Sequence, residues 1–255
     1  MKQIRVTVWN ENWDEVRFEN VREIYPDGIH NAIAGFLGKE EGISVRTCTP
    51  DDPDFGLSQE VLDQTDVLVW WGHVIHHLVP DDAVERVCKR VLNGMGMVFL
   101  HSALYSKPFE KLVGGVMNCA YREVGEKERV WVVNPAHEIA RGLDACYEIE
   151  HSEVYREPTG FPLPDELVMI SWYAGGEAGI SGGCYYRGRG RIFAYTPGHE
   201  DYPVFYNPWV QKTICNGVRW AFNPHIPRYA SGEVEPLEPL DESKLIRIHK
   251  DRSGN

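Results

Sequence analysis

The 255-residue sequence has no apolar run that approaches the roughly 20 residues of a membrane span. Its first residues also lack the apolar core of a secretory signal. Positive charge is scarce, since 26 lysines and arginines stand against 38 aspartates and glutamates, for a net charge of −12. This charge argues against binding to nucleic acid or to an anionic membrane surface. We therefore expect a cytoplasmic protein that binds neither.

No two of the six cysteines have the Cys-x-x-Cys spacing of a redox or zinc motif. In a chain of this size, scattered cysteines are more often reduced core thiols than a disulfide framework. Apolar residues make up 43% of the chain and charged residues 25%, as in ordinary globular proteins. We predict one domain at residues 1–223. An extended tail at residues 224–255, rich in proline and glutamate, would pack over this domain or exchange with a neighbouring subunit.

Glycine is missing at two places where particular folds require it. Residues 10–13 follow the first predicted strand without a glycine, so the backbone there cannot approach a pyrophosphate as in dinucleotide-binding folds. Residues 100–104, around Ser102, also lack the glycines that let a nucleophile elbow turn sharply. The usual mode of NAD binding is therefore not expected, and general acid–base or metal-assisted chemistry fits better than covalent catalysis.

Alternating strand and helix patterns predict an α/β fold. Apolar, β-branched runs predict strands at residues 4–9, 43–48, 67–71 and 97–100, with helical spacing of apolar residues between them. This order is typical of a parallel sheet with helices on both faces. Later strands are predicted at residues 121–133, 146–155 and 167–172, and a hairpin turn at residues 187–191. Asn207 and Pro208 then begin a closing helix.

Histidines follow three of the predicted strands. Ligands of open α/β sheets bind outside the carboxyl ends of parallel strands, so we expect the three loops to form one site. Imidazoles there can act as general acids or bases, or bind a metal. The three loops contain His73, His76 and His77, then His101, and finally His199 beside Glu200 and Asp201.

Nitrogen ligands with one open position would suit a catalytic zinc. The spacing is weak evidence, because His-x-x-His-His lacks the glutamate of the metalloprotease motif. Adjacent His76 and His77 cannot easily point into one pocket, and Trp70 and Trp71 are interpreted as core residues that could also stack on a sugar. The candidate zinc ligands are His73, His77, His101 and His199, with Glu153 or Glu200 as a further ligand.

Four segments together resemble the ThuA family of trehalose-utilisation proteins, which is similar to the class I glutamine amidotransferases. The resemblance covers about residues 4–222 and implies a three-layer, flavodoxin-like or amidotransferase-like, mostly parallel sheet with helices on both faces. The segments are Trp70-Trp71-Gly72-His73, residues 96–102 ending in His101-Ser102, Glu153-Val154-Tyr155, and Gly198-His199.

Amidotransferases have a catalytic cysteine after the fourth strand, and His101 occupies that position here, so glutamine hydrolysis through a thioester is not available. The resemblance implies a role in disaccharide metabolism, on a sugar or a keto-sugar formed by a partner oxidoreductase. The expected catalytic residues are His101, Ser102, Glu153, His199 and Asp201, and the expected substrate-binding residues are Trp71, Gly72, His73, Tyr155 and Glu200.

Three functions remain open from the sequence. The first is an enzyme that uses His199 and Glu153 for acid–base chemistry on a sugar. The second is a non-catalytic sugar-binding or regulatory subunit that has lost the nucleophile. The third is a hydrolase that uses Ser102 with His199 and Asp201. The proline-rich tail also favours a homo-oligomer.

Overall fold

The structure, a computed structural model, describes residues 3–224, 236–241 and 243. Most of the predicted tail lies outside the described residues, and its placement stays a prediction. All six cysteines are free thiols, and four of them are buried. In the described ranges, every helix is too short or too polar to cross a lipid bilayer.

Within the described residues, nine strands form one sheet, and seven α-helices accompany it. The strands are β1 (Ile4–Asn10), β2 (Ile43–Cys48), β3 (Val67–Trp71), β4 (Gly96–Leu100), β5 (Ala120–Val132), β6 (Cys146–Arg156), β7 (Glu166–Tyr173), β8 (Ala178–Arg187) and β9 (Gly190–Tyr195). The helices are α1 (Asp14–Arg17), α2 (Glu19–Ile24), α3 (Ile29–Leu37), α4 (Gln59–Asp63), α5 (Asp81–Leu92), α6 (Lys107–Val113) and α7 (Pro208–Ala221).

The sheet has the order β2-β1-β3-β4-β9-β8-β7-β5-β6 and is mixed. Strands β2, β1, β3, β4 and β9 are parallel, whereas every pairing from β9 to β6 is antiparallel. The expectation of a mostly parallel sheet is therefore wrong. Antiparallel neighbours need only short hairpins, such as the turn between Arg187 and Gly190, whereas parallel neighbours need long crossovers.

The parallel half of the sheet is covered on both faces, as predicted. One apolar cluster packs α3 and α7 against residues such as Val8, Val69 and Leu100. A second cluster packs α5 and α6 against Trp70 and Phe99, which point to the opposite face. The alternation follows from the two-residue period of a strand. Burial on both faces explains why these strands read as continuous apolar runs in the sequence.

Candidate functional site

The parallel strands end level with one another. Asn10 of β1 is paired with Trp71 of β3, Trp71 with Leu100 of β4, and Leu100 with Tyr195 of β9. The four loops that follow therefore begin side by side at one edge of the sheet. This is the edge at which the sequence predicts a site.

Three of the predicted histidines meet at this edge. The ring centroids of His101 and His199 are 5.5 Å apart, and those of His73 and His199 are 6.2 Å apart. His76 lies beside them, with its ring 6.5 Å from that of Tyr105. Burial, together with the nearby His73 and His77, lowers the pKa of His76 to about 4. His77 is exposed and belongs to none of the possible metal-ligand groups among the described residues.

His101 has an unusual backbone conformation. Its φ is +52°, in the left-handed region that side chains other than glycine seldom adopt, and such conformations concentrate at functional sites. Its Nδ1 donates a hydrogen bond of 2.8 Å to the carbonyl of Thr196. Its Nε2 therefore faces the site, 3.2 Å from the hydroxyl of Tyr155. A Cβ on Gly198 would lie 2.7 Å from the Cβ of His101, so this approach requires glycine.

The carboxylate of Glu153 lies between two histidines. Its Oε2 is 3.1 Å from Nε2 of His101 and 3.6 Å from Nε2 of His199, and only 7% of the residue is exposed. At 3.1 Å these two atoms are within hydrogen-bond distance, so Glu153 and His101 can share a proton. The ring of Tyr155 stacks on that of His101, 4.7 Å away, and covers this contact.

His199 is almost completely buried and neutral. Burial, followed by the charges of His101 and His73, lowers the pKa of His199 to about 2. Its Nδ1 accepts a hydrogen bond of 3.0 Å from the backbone N–H of Asp201, so the hydrogen of the neutral ring is on Nε2. This Nε2 also lies 3.6 Å from the carboxylate of Glu123. His199 therefore presents a hydrogen-bond donor to the site.

His73 forms a second group with two buried carboxylates. Its Nδ1 is 2.9 Å from Oδ2 of Asp14 and 3.1 Å from Oε1 of Glu200. Burial alone would lower the pKa of His73, but the hydrogen bond to Asp14 and the charge of Glu200 raise it to about 9. Burial raises the pKa of Glu200. Glu11 holds the loop of His73 in place by accepting hydrogen bonds from the backbone of residues 74 and 75.

The other predicted residues have structural contacts. Ser102 donates its hydroxyl hydrogen to the carbonyl of Gly72, 2.8 Å away, which joins the ends of β3 and β4. The Asp201 carboxylate accepts a hydrogen bond of 2.6 Å from Asn20 rather than orienting His199. The structure thus does not assemble Ser102, His199 and Asp201 into a relay. Trp71 is fully buried in the core at the edge of the site, not on a rim.

Sequence reasoning missed four contributors to the site: Glu11 and Asp14 after β1, Glu123 on β5, and Tyr202, whose ring centroid is 4.8 Å from that of His199. The first two had a signal. They follow β1 directly, and the rule that selected the other strand ends applies equally to that loop. Glu123 and Tyr202 had no comparable signal, because neither follows a predicted parallel strand directly.

In the part of the chain that the structure describes, three groups of side chains could each hold a metal ion: His101, Glu153 and His199; Asp14, His73 and Glu200; and Glu123, His199 and Asp201. His101 has the orientation of a metal ligand, since its second ring nitrogen donates to a backbone carbonyl. His199 has the opposite orientation, with its hydrogen on the nitrogen that faces the site. The zinc ligands predicted from the sequence are thus divided between these groups: His101 and His199 lie with Glu153, and His73 lies with Glu200.

A sequence model of the ThuA family, described as trehalose utilisation, matches residues 5–221. The fold is similar to that of a ThuA-like protein of Parabacteroides merdae, at a TM-score of 0.69 and 13% identity, over 90% of this chain and 93% of that one. A ThuA-like protein of Bacteroides uniformis has a similar fold at a TM-score of 0.65 and 17% identity, over 86% of this chain and 91% of that one. A cytoplasmic protein of Salmonella typhimurium is similar at a TM-score of 0.59 and 12% identity, over 86% of this chain and 99% of that one. No curated protein matches the chain.

Proposed function

This chain belongs to the ThuA family of trehalose-utilisation proteins, and on that premise we propose that it acts on a disaccharide-derived sugar or keto-sugar by general acid–base chemistry. The observation that carries the proposal is the buried carboxylate of Glu153, within 3.6 Å of the Nε2 atoms of both His101 and His199. The carboxylate of Glu153 can share a proton with one imidazole, and the second imidazole offers a hydrogen-bond donor. Together these groups can transfer a proton to and from a neutral substrate.

Each residue has a definite role in this proposal. Glu153 takes a proton from the carbon next to the keto group and later returns it. His101 holds Glu153 in position and shares its proton. His199 donates from Nε2 to the carbonyl oxygen, and its neutral ring keeps that donor in place across the physiological pH range. Tyr155 excludes water from the contact by stacking on His101.

An amidotransferase-like scaffold is part of the same proposal. In that scaffold His101 occupies the turn where the parent enzymes have their nucleophile, and the left-handed backbone of His101 supports this correspondence. No cysteine lies at residues 100–104, so a thioester route is not proposed. The hydroxyl of Ser102 is directed to the carbonyl of Gly72, which also argues against the hydrolase.

Turnover of a matched pair of sugars tests the proposal. Trehalose and the keto-disaccharide made by oxidising one of its secondary hydroxyls are incubated with the protein and followed by proton NMR. We expect the keto-sugar to be consumed and trehalose to remain, because only a carbonyl acidifies the neighbouring carbon. Binding of the keto-sugar without consumption would instead support the second candidate, a sugar-binding subunit, which the absent nucleophile favours. Failure to bind either sugar would contradict both.

A partner oxidoreductase that supplies the keto-sugar follows from the same chemistry. In the proposed function the described site uses no nicotinamide, and residues 10–13 lack the glycines of the usual dinucleotide loop. We propose that the hydroxyl is oxidised on another protein. Co-purification of the tagged chain with a dehydrogenase from its native cells would support this arrangement.

A further inference from the structure

The group of Asp14, His73 and Glu200 is a separate structural unit from Glu153 and its histidines. Its residues come from α1, from the loop after β3 and from the loop after β9, so three distant parts of the chain meet there. Asp14 and Glu200 are 3% and 5% exposed. Two carboxyl groups buried this deeply need hydrogen bonds, a proton or a cation to offset the loss of water.

Acidic side chains predominate around this group. Besides Asp14 and Glu200, the buried Glu11 lies close enough to act on His73. The main charges that act on Glu200 are His73, Asp14 and Asp201, with no lysine or arginine among them. One imidazole thus faces several carboxyl groups, and carboxylate oxygens are ligands that divalent cations prefer.

An unpartnered atom points to the same conclusion. Oε2 of Glu200 is buried and has no hydrogen-bond partner, although buried polar atoms are satisfied in the large majority of cases. It lies 3.8 Å from Nδ1 of His199, which already accepts a hydrogen bond from Asp201 and offers Glu200 no hydrogen. The carboxylate of Glu200 therefore has an oxygen available to bind a metal ion.

We propose that Asp14, His73 and Glu200 bind a divalent metal ion through Oδ2, Nδ1 and Oε1. The separations of 2.9 Å and 3.1 Å between these atoms match neighbouring ligands of an octahedral ion, which are about 3.0 Å apart when the metal–ligand bonds are about 2.1 Å. Two oxygen ligands and one imidazole suit Mn²⁺, whereas structural zinc sites are rich in thiolate and imidazole ligands.

The site shares His73 and Glu200 with the zinc ligands that the sequence suggested but adds Asp14, and it does not depend on the proposed sugar chemistry. The ion replaces the hydrogen on Nδ1 of His73 and leaves further positions open to water or to a hydroxyl or carbonyl of a ligand. Because the ring of His73 is 6.2 Å from that of His199, a molecule bound to the ion would extend towards Glu153.

Metal binding tests this site without any substrate. Full-length protein is stripped with a chelator and titrated with Mn²⁺, and the free ion is followed by electron paramagnetic resonance. We expect one ion per chain, with Glu200→Gln and Asp14→Asn each weakening binding by at least about tenfold. His77→Ala and Glu153→Gln are the matched controls and should bind as the wild type does. Circular dichroism shows whether each variant is folded.

Three results would overturn the assignment. The first is equal binding by the wild type, Glu200→Gln and Asp14→Asn. The second is loss of binding in Glu153→Gln, which would move the ion to the group of His101. The third is no binding of Mn²⁺, Mg²⁺ or Zn²⁺ at millimolar concentration by folded wild-type protein. Failure of sugar turnover would leave this result unaffected, so the two proposals can be separated.

Discussion

At the scale of single residues, His101 shows what the sequence can and cannot predict. Its place after a buried strand predicts that it lies at the carboxyl edge of the parallel strands, and it does. Its left-handed backbone and its hydrogen bond to Thr196 could not be predicted, because both depend on a strand nearly a hundred residues further along the chain. His77 shows the converse. Its sequence pattern makes it a candidate zinc ligand, but its side chain is exposed to solvent.

Glu128 provides a prediction about stability rather than function. It is fully buried, and burial raises its pKa to about 7 against the opposing hydrogen bonds of Ser152 and Ser171. The native state therefore keeps its proton at pH values where the unfolded chain, with a pKa of 4.5, has lost it. The free energy of unfolding should fall as pH rises from 4.5 to about 7, by roughly 3 kcal/mol for this group.

Glu128→Gln should remove this pH dependence of the free energy of unfolding. A glutamine can still accept from one serine and donate to the other, so the variant should fold. Chemical denaturation of both proteins between pH 4.5 and 8 measures the effect. We expect the free energy of unfolding of Glu128→Gln, relative to that of the wild type, to increase with pH up to about 7 and then level off. A constant difference across this range would show that Glu128 is ionised in the native state.

At the scale of elements, the hairpin of β5 and β6 decides where Glu153 lies. The sequence predicts both strands, but β6 is the outermost strand of the sheet, far from β4 in strand order. Irregular pairing between Arg122 and Glu128 bends the hairpin, and the end of β6 packs against β8. Bulges and strand curvature leave no clear pattern in one sequence, so the contact of Glu153 with His101 could not be predicted.

Gly179 makes this packing possible. A Cβ at this position would overlap the carbonyl oxygen of Tyr155. Gly179→Ala should therefore displace the segment of Glu153 and Tyr155 and lower the free energy of unfolding by about 1–3 kcal/mol. It should also reduce keto-sugar turnover more than its effect on folding alone explains, measured at a temperature where the variant is fully folded.

Gly35→Ala is the matched control for that substitution. Gly35 is exposed within α3, and a Cβ there would meet nothing within 4 Å. Replacing glycine by alanine inside a helix should stabilise the protein by about 0.5–1 kcal/mol and leave the site unchanged. A Gly179→Ala protein as stable and active as Gly35→Ala would mean that the end of β6 does not need the close approach to β8.

At the scale of the whole molecule, the two apolar clusters of the described residues lie between Ile4 and Phe222. The family match ends at residue 221. The α/β class and helices on both faces could be predicted, because buried strands and amphipathic helices have distinct periods. The antiparallel half could not be predicted as part of the same sheet, since hairpin patterns do not specify which strand they join.

A chain shortened to residues 1–223 should fold and keep its secondary structure, measured by circular dichroism and thermal unfolding. We propose that the full chain is a homo-oligomer in which the tail contacts a neighbouring subunit. Light scattering should then give a multiple of 29.1 kDa for the full chain, and a single-chain mass for the shortened protein. An unfolded shortened protein would show that the tail belongs to the domain, and equal numbers of subunits would remove its role in assembly.

Substitution of Glu153 tests the central claim most directly. Keto-disaccharide turnover is measured by proton NMR for the wild type, for Glu153→Gln and for Glu150→Gln, an exposed position on the same strand. Glutamine keeps the size of the side chain but cannot take up a proton, so Glu153→Gln should lose about 10²- to 10⁴-fold in rate. Glu150→Gln should match the wild type. Wild-type turnover by a folded Glu153→Gln protein would contradict acid–base chemistry at this site.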